Sequence, residues 1–250
     1  VVTQGFIGST QENHTTTLGR EGSDYTAAIL SYCCQAKAMH IWKDVPGVLT
    51  ADPRKFNHVT KIEKLSYKEA IEMTYYGAKV IHPKTIKPLQ NKNIPLYVRP
   101  FDDPSSTGTK ISSEGEVYYP PIVVVEEDQA LISISVKDFS FVAEQHLSNI
   151  FGILSDLRIK VNMMRNTAIS FTLCVNNHAE KLKLFADKLA DEFVVSFDVG
   201  MEMITIRHFT KEVIQEMKRS KITMFEDRLQ DTIQLVVKEI PLITRKTDQE

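Results

Sequence analysis

Residues 15–24, Thr-Thr-Thr-Leu-Gly-Arg-Glu-Gly-Ser-Asp, hold the densest set of groups able to bind a small charged molecule, and they stand directly before a helical stretch. Gly19 and Gly22 permit backbone conformations closed to other residues and let main-chain N–H groups approach a ligand. A helix N-terminus beyond them offers unpaired donors and a positive dipole end, which suit a carboxylate or a phosphate. Arg20 adds a planar fork that can hold a carboxylate through two hydrogen bonds. Asp24 is placed to receive an ammonium group. Together these groups suit a zwitterionic amino acid; a polar loop leading into an N-capped helix would carry the same residue types.

A second cluster, Trp42-Lys43-Asp44-Val45-Pro46-Gly47-Val48-Leu49-Thr50-Ala51-Asp52-Pro53-Arg54, follows a short strand and ends in a rigid Asp-Pro turn. Open α/β sheets place ligands at such loops. A third is Gly77-Ala78-Lys79-Val80-Ile81-His82-Pro83. Lys79 and Arg54 are candidates for phosphate charge; read singly, each is an ordinary solvated surface cation.

The elements that must position these clusters alternate strand and helix. Val1–Phe6 reads as a short apolar strand, and Ser23 to about Lys37 as a helix with Ser23 at its N-cap. Met39–Trp42 is a brief strand and Tyr67 to about Tyr76 a helix stopped by Gly77. Lys84 to about Gln90 is a helical piece interrupted by Pro88, and Ile94–Val98 a strand. This alternation predicts a layered α/β domain with a mainly parallel sheet. The second half predicts strand Ala130–Val136, helix His146–Leu157, strands Lys160–Met164 and Ala168–Val175, helix Ala179–Glu192 and strand Phe193–Val199. A shorter echo follows: strand Met201–Phe209, helix Lys211–Arg219, and strands Ile222–Glu226 and Thr232–Val237. Two ferredoxin-like units in tandem are the simplest account.

Composition divides the chain in the same way. Eight of ten Gly and nine of ten Pro precede residue 122, while six of eight Met follow residue 160. The seam is Asp102–Pro121, which reads as turns and a linker, so the domains are expected at 1–116 and 117–250. A formal net charge of -2 excludes a dedicated nucleic-acid binder or polybasic membrane module. No apolar run approaches the roughly 20 residues a membrane helix needs. Three cysteines form neither a disulfide framework nor a CxxC spacing, which points to a reducing, cytoplasmic setting. Cys33 and Cys34 fall mid-helix, with at least one expected in the core. His146, His178 and His208 lack metal-ligand spacing, and Met163, Met164, Met201 and Met203 read as strand core positions.

The segments GFIGST, TTTLGREGSDYTAA, IWKDVPGVLTADPR, SYKEAIEMTYYGAKVIHP, NIPLYVR and TGT, in that order over about residues 1–112, resemble the aspartate kinases of the amino acid kinase superfamily. The second half is similar to the paired ACT domains that follow the kinase domain in those enzymes. The implied fold is the C-terminal part of an α/β kinase-type layered sheet followed by α+β ferredoxin-like ACT units. The implied activity is transfer of phosphate from ATP, with Mg²⁺, to the side-chain carboxylate of L-aspartate, the first step of lysine, threonine and methionine biosynthesis.

By this resemblance Arg20 would hold a substrate carboxylate, Ser23 and Asp24 would place the amino acid, and Phe6 would close over it. Lys43, Asp44, Leu49 and Arg54 fall on the ATP-contacting loop, and Lys79 with Val80 on the segment lying against the nucleotide. Lys43 stands where a small hydroxyl residue is usual, Leu49 where an aromatic often faces the base, and Glu21 where a glycine is usual. An amino-acid effector, lysine or threonine, would meet the loop Lys137–Gln145, Leu147, Lys160, Val161, Asn162 and Thr167, at an interface of a homodimer or higher oligomer. Lysine-inhibited relatives carry a glycine in place of Gln145 and an acid in place of Asn162; Asn accepts a hydrogen bond but carries no charge.

The family's opening KFGGTS motif, with its catalytic lysine, is absent from these residues, and Val1 reads as a cut edge. The chain alone is therefore expected not to phosphorylate aspartate. Two rivals remain: another carboxylate or carbamate kinase of the superfamily, and a non-catalytic amino-acid-binding dimerisation module.

Overall fold

Short-range signals build most of the elements. In the first half, two antiparallel strands, β1 (Ile7–Ser9) and β2 (Thr15–Thr17), form a hairpin ahead of helix α1 (Gly22–Cys33). Strand β3 (Met39–Lys43) follows, then β4 (Lys64–Ser66) running directly into α2 (Tyr67–Tyr75), and then α3 (Pro83–Asn91). Ser66 caps α2 by accepting from the Glu69 N–H at 3.0 Å. His82 caps α3 through Nδ1, which accepts from the Lys84 N–H at 3.1 Å, and Pro83 takes the first helical position, where its missing N–H costs nothing. Strands β5 (Leu96–Pro100) and β6 (Thr109–Ser112) complete a four-stranded sheet of order β3-β5-β6-β4. β3 and β5, and β4 and β6, pair in parallel, while β5 and β6 pair antiparallel. Ile41, Leu65, Ile86, Leu89, Leu96, Val98 and Ile111 form its core, together with Ala28 and Met73.

The second half is built from β7 (Ile122–Val136), α4 (Glu144–Asp156), β8 (Val161–Asn166), β9 (Ser170–Asn176), α5 (Ala179–Leu189) and β10 (Phe193–Arg207). Helix α6 (Lys211–Lys218) and strands β11 (Lys221–Leu229) and β12 (Thr232–Glu239) follow. The six strands form one sheet, β11-β12-β10-β7-β9-β8, whose β10-β7-β9-β8 part has the order of a ferredoxin-like βαββαβ unit. Period-two alternation buries both faces: Ile132, Ile134, Phe171 and Leu173 pack with Ile150, Leu154 and Phe185 of the helices, whereas Cys174 packs with Met163, Met201, Met203 and Phe225. Burial pushes the Cys174 thiol up to about 12, so it stays protonated and inert.

The computed structural model describes residues 1–116, 118–138 and 141–240. They form two compact units: Val1–Val124 with Thr205–Lys211 and Gln230–Thr232, and Val125–Ile204 with Glu212–Leu229 and the chain from Ile233. The chain is a mixed α/β protein.

Several expected elements differ. Residues 1–6 are not a strand; the strand starts at Ile7 and pairs with Thr15–Thr17, which read as loop. The seam 102–121 conceals β6, whose Ile111 is fully buried. The expected strands Phe193–Val199 and Met201–Phe209 are one strand, which passes through Gly200 at φ 74°. Helix α1 ends at Cys33, and both Cys33 and Cys34 are exposed. Met164 faces outward, unlike Met163.

Candidate functional site

The ten-residue cluster is not a simple loop. Its threonines are strand β2, and Leu18 donates its N–H to the Phe6 carbonyl at 2.8 Å, which closes the hairpin base over the start of α1. Phe6 holds φ 74° and donates its N–H to Thr26 Oγ1 at 3.0 Å. A Cβ on Gly22 would lie 2.8 Å from Phe6 Cδ2 and 3.0 Å from Leu18 Cβ, so glycine is required for the hairpin to sit on the helix. The N-cap is Glu21, at φ 56°, and not Ser23 as its residue type predicts; Ser23 lies inside the first turn. No side chain caps α1; the Gly22 N–H donates to the Gly19 carbonyl at 3.0 Å, and the following turn presents its main-chain donors and the positive dipole end without a side-chain acceptor.

Arg20, with 68% of its side chain exposed, stands beside this N-terminus, its Nε 4.0 Å from Glu21 Oε1. Asp24 is already engaged: Lys43 Nζ donates to its Oδ2 at 2.8 Å, with only 19% and 26% of the two side chains exposed. The structure thus joins a residue expected at the amino acid to one expected at the nucleotide. Phe6, Arg20, Ser23, Asp24 and Lys43 gather around one helix end.

Beyond Lys43, the loop leaves Asp44 exposed and Leu49 half-buried in a bridge to Lys61. Its anchor is Thr109, whose hydroxyl accepts from the Val48 N–H at 2.8 Å and donates to the Ile62 carbonyl at 2.6 Å. A Cβ on Gly47 would lie 2.5 Å from that hydroxyl oxygen. Arg54 forks onto Asp52, with Nε to Oδ1 at 3.0 Å and Nη2 to Oδ2 at 2.7 Å. These bonds, with one from the Arg54 N–H, pull the Asp52 carboxyl down to about 2. Arg54 is therefore a held cation and not a free one. Lys79 is exposed just after α2, and Val80 packs on the first core. Trp42 carries the Arg99 guanidinium 4.7 Å from its ring centroid, a pairing the sequence did not signal.

In the second unit, Leu147 packs into the helix-covered core and Lys160 is exposed. Val161 is half-buried on the same core. Asn162 sits at a register irregularity in β8, where its Nδ2 donates to Gln129 Oε1 at 2.8 Å and to Asn176 Oδ1 at 2.7 Å. Its Oδ1 is buried and accepts nothing. The Thr167 hydroxyl is engaged inside the β8–β9 turn, accepting from the Ser170 N–H at 3.1 Å. Helix α4 begins at Glu144, earlier than expected, because His146 reaches back and its Nδ1 accepts from the Ala143 N–H at 3.1 Å. Residues 139 and 140 of the expected effector loop lie outside those described.

Residues 1–100 match the amino acid kinase family. The matched span contains the hairpin, the uncapped start of α1, the loop 44–54 and Lys79. Across a longer stretch the chain is similar to aspartokinases. It is 37% identical over 179 residues to lysine-sensitive aspartokinase 3 of Escherichia coli, an alignment that covers 70% of this chain and 39% of that protein. A crystal structure of E. coli aspartokinase III in complex with aspartate and ADP superposes with a TM-score of 0.78 at 28% identity, covering 94% of this chain and 56% of that one. The same enzyme in complex with lysine and aspartate gives 0.75 at 28% identity, with the same coverage. The chain thus spans 39% of the E. coli lysine-sensitive enzyme's length and 56% of the chains in these two structures. The kinase-family segment is where the candidate binding groups gather.

Among the described residues, no group of three or more His, Cys, Asp or Glu is arranged to hold a metal ion. Among the same residues, no helix is long and apolar enough to cross a membrane.

Proposed function

We propose that this chain is the amino-acid-binding and regulatory portion of an aspartate kinase. The complete enzyme would transfer the γ-phosphoryl group of ATP to the side-chain carboxylate of L-aspartate, giving 4-phospho-L-aspartate and ADP at the entry to lysine, threonine and methionine synthesis. The observation that carries this reading is the uncapped N-terminus of α1 with the exposed Arg20 fork beside it. A carboxylate there receives main-chain N–H groups, the dipole and a guanidinium together. The substrate ammonium joins the Asp24–Lys43 pair, Ser23 adds a hydroxyl, and Phe6 limits the open side.

Asp44, Leu49, Lys79 and Val80 border the nucleotide, with Arg54 held ready by Asp52. Phosphoryl transfer depends mainly on positioning and charge stabilisation, which cations and main-chain donors supply. Mg²⁺ would arrive on the nucleotide phosphates, since that ion keeps several waters and needs only one or two carboxylates; Asp44 is an exposed carboxylate on that loop. The second unit would sense lysine or threonine, with the unpartnered Asn162 Oδ1 accepting from the effector ammonium, in a cytoplasmic homodimer or larger assembly.

The reading is tested by calorimetry with L-aspartate on the 250-residue chain. Arg20→Ala removes a charge-assisted contact of about 1.5–3 kcal/mol, so affinity should fall at least tenfold. An unchanged affinity would reject the site. The chain alone should show no ATP- and aspartate-dependent turnover; robust turnover would reject the expectation that the KFGGTS lysine is needed.

A further inference from the structure

Helix α2 is held at its first turn by a residue 138 positions later in the chain. Arg207, at the end of β10, donates from Nε to Glu69 Oε1 at 2.6 Å and from Nη2 to Glu69 Oε2 at 2.8 Å, and from Nη1 to Thr232 Oγ1 at 2.8 Å. Only 8% and 6% of the Arg207 and Glu69 side chains are exposed. Burial disfavours the charged guanidinium, but the Glu69 hydrogen bonds and charge outweigh it and raise its pKa. His208, at φ 51°, lies alongside, with Nε2 3.1 Å from Glu69 Oε1 and Nδ1 3.3 Å from Asp231 Oδ2. Its ring lies 5.1 Å from that of Tyr119, whose hydroxyl accepts from the N–H of Ser66, the α2 cap. All these residues belong to the first unit.

A buried ion pair adds little net stability over an apolar pair, but it fixes geometry, because a bidentate fork tolerates little displacement. What it fixes here can be followed along α2. The helix is nine residues long, and the backbone beyond its far end is tied back to it: Gly77 N–H donates to the Thr74 carbonyl at 3.2 Å and Ala78 N–H to the Met73 carbonyl at 3.0 Å. Lys79 and Val80 come next. Met73 is buried, so the last turn cannot shift without disturbing the core.

We infer that Glu69 and Arg207 are positioning residues for the Lys79–Val80 segment, acting through α2 as a rigid lever. The inference rests on the reading that this segment lies against the nucleotide. Arg207 closes β10 and Thr232 opens β12, so the fork ties the ends of two strands to the first turn of α2.

The test is hydrogen exchange and ligand binding on the full chain, comparing the wild type with Glu69→Gln, Arg207→Met and Thr232→Val. Amides of residues 67–82 should exchange at least tenfold faster in Glu69→Gln and Arg207→Met, with those of α1 unchanged. The Kd for ADP should rise at least fivefold while that for L-aspartate stays constant. Thr232→Val keeps the fork and should show a smaller change of the same pattern, which decides the matter if Arg207→Met does not fold. Unchanged exchange over 67–82, or equal acceleration throughout the first unit, would overturn the inference. If the wild type binds no ADP, the nucleotide reading fails, and exchange alone still decides the positioning role.

Discussion

Thr109 offers a sharp quantitative check on how the loop 44–54 is anchored. Replacing it with Val preserves shape and apolar packing but removes one hydroxyl that serves two backbone groups, the Val48 N–H and the Ile62 carbonyl. Thr109 itself is fully buried, and Val48 and Ile62 are 3% and 4% exposed, so water cannot take its place. Each orphaned buried polar group costs about 1–3 kcal/mol, which sums to roughly 3 kcal/mol for the pair. With a urea slope of about 2 kcal/mol/M, the unfolding midpoint should fall by roughly 1.5 M. Trp42, the only tryptophan, lies on β3 and reports the first unit directly by fluorescence. Thr107→Val makes the same chemical change two residues away at an exposed position and should cost less than about 0.5 kcal/mol. Equal midpoints for the two variants would refute the argument that this hydroxyl pins the loop.

Further predictions follow from individual contacts. Asn162→Asp replaces two donated hydrogen bonds with a carboxylate facing Gln129 Oε1 and Asn176 Oδ1, so the second unit should lose about 2 kcal/mol or more by thermal unfolding, unless L-lysine restores it. Asp52 titrates near 2 in the folded chain against an ordinary 3.8, so whatever stability it lends is complete above pH 3.8 and lost as the pH falls through 2. Carboxyl NMR should find that midpoint, and Arg54→Ala should raise it part of the way to the ordinary value, because the bond from the residue 54 N–H remains, with little change in stability for so exposed a guanidinium. Gly22→Ala drives a methyl group into Phe6 and Leu18; it should lower the melting temperature and weaken L-aspartate binding together.

Features set by neighbouring residues are legible in the sequence, and those set by distant contacts are not. Helix α2 was legible because Gly77 stops the run that begins at Tyr67. The start of α1 was misplaced because Ser23 has the residue type of a cap, whereas the backbone turns earlier through a left-handed Glu21. Strand β6 was hidden by the Ser-, Gly- and Pro-rich residues around it, although Ile111 is core. Gly200 suggested a break, yet a strand carried by neighbours on both sides continues through it. At the candidate site, Arg20, Ser23 and Asp24 were recognisable from their order before a helix. The engagement of Asp24 by Lys43, and of Glu69 by Arg207, was not, because no local pattern encodes pairs so far apart in the chain.

The central claim is that the N-terminus of α1 receives an amino-acid carboxylate. A titration of the isotopically labelled chain with L-aspartate, followed by amide NMR, addresses it residue by residue. The account predicts saturable shifts concentrated at Phe6 and at Arg20 to Asp24, absent in Arg20→Ala. Shifts confined to other residues, or none at millimolar L-aspartate, would contradict it.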